Sequence, residues 1–376
     1  MAAVTLFLCG DVMTGRGIDQ ILGTPCDPAL HEPCVADARD YVALAEAKHG
    51  PVPRGVPPAY VWGDALGELA RFGPAARIMN LETAVTTSDA WEDKGINYRM
   101  HPANVGCLAA AAIDCCVLAN NHVLDWGEAG LLETLATLHA AGVATAGAGR
   151  VLAEARAVAT LPLPAGGRVL VAGYGMRSSG IPSGWAAGER KPGVALLDDL
   201  SDRSVERIAR EVAAAKRAGD IAVASIHWGG NWGYAIGAAE RRFAHRLVEA
   251  AGIDIVHGHS SHHPKAIEVH AGRLVLYGCG DLVNDYEGIG GYEAWRGDLG
   301  LMYLPTVDPG TGTLLALALV PMRMRRFRLE RAPAEDARWL AETLSREGRR
   351  FGTRVRVEAD GRLALVWDRA GGGAGG

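Results

Sequence analysis

Five short apolar runs in this chain each end on a side chain able to bind a metal ion, and that repetition narrows the folds open to it. Val4-Thr-Leu-Phe-Leu-Cys9 leads to Asp11, Arg77-Ile-Met-Asn-Leu81 to Glu82, and Cys115-Cys-Val-Leu-Ala119 to Asn121 and His122. Ile221-Ala-Val-Ala-Ser-Ile226 leads to His227, and Ile253-Asp-Ile-Val256 to His257 and His259. Apolar runs of this length, closed by glycine or polar residues, are buried strands. Between them, residues 103–112, 128–141, 204–218 and 240–251 carry apolar positions near a period of 3.6, the mark of helices covering a core. Strands alternating with helices predict a layered α/β architecture.

The texture changes after His263. Residues 267–270, 274–277, 299–307 and 314–324 are strand-like with glycine or proline at the breaks, which predicts a second sheet packed on the first. Residues 24–60 are proline-rich with a short helical stretch at 38–47, and are expected to form an insertion able to act as a lid. Residues 1–330 are thus expected to form one catalytic domain, 331–370 a helix and strands packed on it, and the glycine-rich 371–376 a disordered tail.

Bulk properties exclude some partners. A formal net charge of −5 gives no general attraction to nucleic acid or anionic lipid. The basic run 322–328 alternates arginine with methionine and phenylalanine, so it is expected to be an edge strand with a solvated basic face. The first apolar stretch is too short for a signal-peptide core, and no stretch reaches membrane-spanning length. A soluble, cytoplasmic protein with no membrane anchor is expected. Seven cysteines spread over the chain do not form a disulfide framework. Cys26 and Cys34 share a loop and are expected as free thiols, a disulfide or metal contact being the alternative.

Asp11, Glu82, Asn121, His227, His259 and His262 supply the donor set of a dinuclear divalent-metal site: hard carboxylates, a neutral amide oxygen and imidazoles. Imidazoles favour zinc, manganese, iron or cobalt over calcium or magnesium. Four histidines fall within Val256-His-Gly-His-Ser-Ser-His-His263, a density with few explanations besides metal binding or pH sensing. Arg16 follows Asp11 on a glycine-flexed loop; its planar fork suits a substrate carboxylate or phosphate, or else pairs with a nearby acid. Trp228 and Trp232 bracket a glycine-rich loop and line a pocket or cap the core.

Gly10-Asp-Val-Met-Thr-Gly-Arg-Gly17, Asn80-Leu-Glu-Thr83, Ala119-Asn-Asn-His-Val-Leu-Asp-Trp-Gly127, Ile226-His-Trp-Gly229 and Gly258-His-Ser-Ser-His262, with Ile267-Glu268 and Tyr277-Gly-Cys-Gly-Asp281, resemble the CapA family of the calcineurin-like metallophosphatase superfamily, associated with poly-γ-glutamate capsule synthesis. The resemblance implies a four-layer α/β/β/α sandwich holding two divalent metal ions between its sheets. It makes the six residues above the ligands and His122 the general acid or base, with Asp125 placed to orient it. Lys94, Tyr98 and Arg99 fall where the family has a basic and aromatic loop that can face substrate. The chain departs from the pattern at Met13, where metallophosphatases carry a histidine, and at Lys265 and Asp281, where CapA-like chains have glutamine and asparagine near the cleft. Family members are typically anchored at the N-terminus, whereas this chain begins at the first strand. The activity implied is metal-assisted hydrolysis of a peptide-like substrate. The alternatives are Cα epimerisation of a peptide through an enolate and non-catalytic binding of a peptide or polyglutamate chain. Oligomeric state is left open.

Overall fold

A computed structural model of the protein describes residues 2–164 and 166–368; the expected tail at 371–376 lies outside them. Strands Phe7–Val12, Arg77–Leu81, Cys115–Val117 and Ala144–Ala146 pair in parallel in that order. The other flank of Phe7–Val12 takes up Leu299–Asp308, followed by Thr313–Arg325, Leu363–Trp367 and Thr353–Val357, which completes an antiparallel half of the same sheet. A second sheet runs Leu196–Leu197, Arg168–Met176, Ile221–His227, Ile255–His259, Arg273–Leu276 and Ile267–His270. Its central strands are parallel, as expected where strands alternate with helices.

The division between the sheets differs from the sequence expectation. The second sheet begins at Ala159–Pro162, paired antiparallel with Arg168–Met176, and the long strands Leu299–Asp308 and Thr313–Arg325 return to the first sheet instead of forming a new one. Local pattern names a strand but not its partner. Helices appear near the expected places, at Gly127–Ala140, Asp202–Ala215 and Ala238–Ala250, while the region 103–112 yields only a single turn and the short helix Gly106–Ala110. The basic run is not an edge: Thr313–Arg325 is paired on both sides, and Arg326–Phe327 turn the chain into Arg328–Arg331. Met322, Met324 and Phe327 point inward while Arg325 and Arg326 are exposed, so the alternation holds.

Among the described residues, three apolar clusters account for the packing. One gathers Leu8, Ile78 and Val117 from the first sheet with Val171, Val223 and Ile255 from the second. Another joins Phe7, Cys9 and Met79 to Ile18, Leu108, Leu131 and Leu138 on helices over the first sheet. The third joins Tyr174, Ala224 and Ile226 to Ile208, Val212, Phe243 and Leu247 on helices over the second. The segment 24–60 contributes Val42, Ala45, Val52 and Val56 to the second of these clusters, and its helix spans Arg39–His49. Cys26 is a buried thiol and Cys34 an exposed one.

Helix Ala334–Gly348 and the hairpin of Thr353–Val357 with Leu363–Trp367 place Leu340, Leu344, Leu363 and Leu365 in the cluster between the sheets. Leu363→Ala is expected to lower the unfolding free energy by about 2–5 kcal/mol, the usual cost of emptying a packed leucine site; a urea titration followed by circular dichroism measures it.

Candidate metal centre

The centre is built where strand ends of both sheets meet. Asp11 and Asp281 are register partners on parallel strands. Gly10 permits that approach, because a Cβ there would lie 1.9 Å from the Gly280 carbonyl oxygen. On the other side of Asp11, Asn80 spends both amide hydrogens, donating to Asp11 Oδ1 at 2.7 Å and to Glu82 Oε2 at 3.0 Å. Asn80 and Glu82 lie two residues apart and so share a face at the strand end. Asp11 Oδ2, although fully buried, has no hydrogen-bond partner among the described residues. Burial, then the Asp281 carboxylate, pushes the Asp11 acid up to about 7; burial and Asp11 push Glu82 well above the carboxylate range.

The second sheet answers with imidazoles. His227 and His259 end adjacent parallel strands in register, their Nδ1 atoms 2.8 Å apart, and burial holds both well below the ordinary imidazole range. A chain of hydrogen bonds fixes which nitrogen of His259 is free. The Cys9 carbonyl can only accept, so His257 Nε2 donates to it at 2.9 Å, and the buried, neutral His257 must accept at Nδ1 from Ser225 Oγ at 3.0 Å. Ser225 Oγ then accepts from His259 Nε2 at 2.9 Å, which leaves the Nδ1 lone pair of His259 facing His227 and lying 4.0 Å from Asp11 Oδ1. Gly258, between the two histidines, has no room for a Cβ, which would fall 2.6 Å from Leu276 O.

Two donor sets result, Asp11–His227–His259 and Asp11–His262–Asp281, each with one ligand atom per residue lying within 4.8 Å of the others. Asp11 belongs to both. His262 Nδ1 lies 2.9 Å from Asp281 Oδ1, while Asn284 donates to Asp281 Oδ2 at 3.1 Å. Burial opposes charge on His262, but Asp281 outweighs it and raises the pKa. The Oδ1 of the half-buried Asn121 lies 2.8 Å from His227 Nε2, and Glu82 Oε1 lies 3.7 Å from the same nitrogen. Oxygen and neutral nitrogen donors around an unpartnered buried carboxylate oxygen fit a divalent ion. Met13, buried beside the Tyr286 hydroxyl, brings only a thioether.

His122 adjoins this set. Its Nδ1 is 2.7 Å from Asp125 Oδ2, its Nε2 is 3.9 Å from Glu82 Oε1, and burial holds its pKa down to about 4. Asp125 is fixed by the Tyr98 backbone N–H and by Lys94 Nζ, which also donates to Asn121 O. Lys94 therefore braces the His122–Asp125 pair from within.

Several residues expected to meet substrate are placed elsewhere. The Arg16 guanidinium is buried, held by Asp285 on two nitrogens and by Glu32 and Tyr41 on the third, with Tyr41 and Tyr98 stacked against it. Its fork therefore closes on protein acids, one of them in the 24–60 segment. Arg99 donates to Ser88 O and Asp89 and lies 3.9 Å over the Trp126 ring, a loop clamp. Trp228 is 2% exposed and packed against Phe243 and Tyr277 in the helix-facing core, so it caps that core and lines no cleft. Lys265 is buried, its stem passing Gly278 and its ammonium ending near Gly229, where burial lowers its pKa. Trp232 is partly exposed, stacked on Tyr292 at 4.2 Å and 5.3 Å from His262. Asp281, expected as a substrate contact, stands inside the donor set. Asn80, Ser225, Asn284 and Tyr292 are residues to which motif spacing gave no role, and His257, read as metal-competent, instead orients its neighbours. For Asn80 the usable signal was its place two residues before Glu82.

A mixed α/β fold that gathers carboxylates and imidazoles at its strand ends, with a His–Asp pair beside them, defines a protein with a candidate metal centre. The family model described as bacterial capsule synthesis protein PGA_cap matches residues 5–286, which include every candidate ligand, and the chain belongs to that family. It is 48% identical over 365 residues to a probable polyglutamine synthesis accessory protein of Mycobacterium tuberculosis, covering 96% of each chain. It is 29% identical over 208 residues to the PGA biosynthesis protein CapA of Bacillus subtilis, covering 55% of this chain and 52% of that one. Against the capsule biosynthesis protein CapA of Bacillus anthracis it is 25% identical over 193 residues, covering 51% of this chain and 45% of that one. The CapA resemblance drawn from the motifs is thus shown. Among the described residues no helix is long and apolar enough to cross a membrane.

Ser225→Ala breaks the hydrogen-bond chain that orients His259 and is expected to weaken metal binding about 10–100-fold, as loss of an outer-shell partner does; competitive titration with a metal indicator measures it. Asp285→Ala removes the partner of two Arg16 nitrogens, leaving Glu32 as the remaining acid beside the buried charge, and is expected to cost up to about 3–5 kcal/mol of stability, read from chemical unfolding.

Proposed function

We propose that the protein is a metal-dependent hydrolase acting on a peptide or amide carbonyl, with His122 as its acid/base. The observation that carries this reading is that Asp11 belongs to two buried donor sets while the His122–Asp125 pair adjoins the same carboxylate cluster. Asp11, Glu82, Asn121, His227, His259 and His262 are the proposed ligands, and Asp281, paired to His262, joins them where Met13 offers no imidazole. Two divalent ions held there, manganese, zinc, iron or cobalt, would polarise the substrate carbonyl and lower the pKa of a bound water. The chain's own part is to hold and move a proton. Asp125 accepts from His122 Nδ1, which leaves Nε2 facing the centre to take a proton from the nucleophile and return it to the leaving amine. Lys94 holds Asp125 in place by donating to its Oδ1 at 2.7 Å.

The peptide-like substrate rests on the names of the relatives, accessory to polyglutamine or PGA synthesis. The partly exposed Trp232–Tyr292 stack beside His262 supplies a flat wall against which a substrate chain can lie. A four-layer sandwich of the metallophosphatase type suits the three apolar clusters. Residues 1–330 form the catalytic domain in this reading, with the 24–60 segment as its lid, tied to Arg16 through Glu32.

A second reading, Cα epimerisation of a peptide, draws on the same tautomer: an imidazole whose Nδ1–H is committed to Asp125 presents a base at Nε2. His122→Ala is expected to lower turnover about 10²–10⁴-fold with metal content unchanged; undiminished function would leave only a binding role. Incubation of metal-loaded protein with glutamyl peptides in D2O, followed by mass and chiral analysis, separates the reactions. Cleavage without Cα deuterium supports hydrolysis. An inverted residue carrying one deuterium overturns it in favour of epimerisation.

A further inference from the structure

A third group of metal-competent side chains lies apart from the buried centre and shares no residue with it. His245 and Glu249 are one turn apart on helix Ala238–Ala250, and Glu268 and His270 are two residues apart on strand Ile267–His270, the edge of the second sheet. Both spacings put each pair on one face of its element, and the two faces meet. His245 Nε2 lies 3.1 Å from Glu268 Oε2, and His270 Nε2 lies 2.7 Å from Glu249 Oε1. One ligand atom each from His245, Glu268 and His270 fits within 4.8 Å of the others.

We infer that these four side chains form a second, zinc-type divalent-metal site that clamps the helix to the sheet edge. The His245 Nε2 atom is buried and makes no hydrogen bond among the described residues, its approach to Glu268 being off the bonding line. The two imidazoles are stacked at 3.6 Å and 5° apart in plane, with their Nε2 atoms facing carboxylates. Two neutral imidazoles and two carboxylates are a tetrahedral zinc donor set whose charge balances that of the ion. Tyr277 donates to Glu268 Oε2 and Arg241 to Oε1, so this ligand is already oriented from behind, as outer-shell partners orient metal-binding carboxylates. Parallel rings require one imidazole to turn about its Cβ–Cγ bond on binding, and His270, 23% exposed, has the freedom to do so. His245 and Glu249 also line an open groove, which gives the ion a path from solvent.

The test is zinc stoichiometry of the full chain. Protein equilibrated with Zn²⁺ and freed of excess by gel filtration is compared, by elemental analysis and thermal melting, with His245→Ala/His270→Ala and with Glu249→Gln/His270→Gln, the latter pair partly exposed and tolerant of change. Each double variant is expected to retain one zinc per chain fewer than the parent and to lose the corresponding zinc-dependent rise in melting temperature. The difference is expected to persist when His227→Ala is added to parent and variants alike, since that change affects only the buried centre. Equal zinc content in parent and both double variants, or a parent that loses this zinc on gel filtration, overturns the inference and leaves the proposed hydrolase reading untouched.

Discussion

Asp11 is a fully buried carboxylate with one oxygen left without a hydrogen bond, flanked by Glu82 and Asp281. Three acids in so small a volume cannot all ionise in an apolar interior without a counter-charge. Much of the surrounding structure answers that constraint. Asn80 neutralises part of the field by donating to two of the acids, and the second sheet delivers His227, His259 and His262 across from them. Burial disfavours charge on His227 and His259, and it likewise raises Asp11 and Glu82 toward their protonated forms. A divalent ion takes neutral imidazoles as they stand and restores the charge of the carboxylates, which makes folding around the centre and metal binding linked processes.

The centre is held by its backing more than by its own residues. His257 reaches from one sheet to the Cys9 carbonyl of the other, and through Ser225 it sets the tautomer of His259. Ser260, immediately after His259, has φ of 99°, and Arg16 has φ of 48°. Non-glycine residues in such conformations cost about 1–3 kcal/mol and persist only where packing enforces them. Arg16 is enforced by Asp285, Glu32 and Tyr41, so the same buried ion network that strains the loop after Asp11 also anchors the 24–60 segment.

Much of the site was legible along the chain. The six proposed ligands and the His122–Asp125 pair follow from side-chain chemistry at strand ends and from the ordered motifs. What failed were roles that depend on where a side chain points. Arg16, Arg99 and Trp228 have the chemistry of substrate contacts, but their partners are Asp285, Asp89 and Tyr277, residues 269, 10 and 49 positions away. Asp281 read as a cleft residue because nothing local reveals that its strand lies in register with Asp11, 270 residues earlier.

The sequence by itself determined many of the strands and helices, though not the central strand Arg168–Met176 or the helix Ala65–Phe72, and which residues can bind a metal, because periodicity and side-chain chemistry are local properties. Tertiary structure alone decided the sheet to which each late strand belongs, the sharing of Asp11 between two donor sets, and the tautomer of His259. Each of those depends on hydrogen bonds and contacts between residues far apart in the chain. Strand pairing is chosen by burial across the whole core, and an imidazole's free nitrogen is chosen by what its other nitrogen meets.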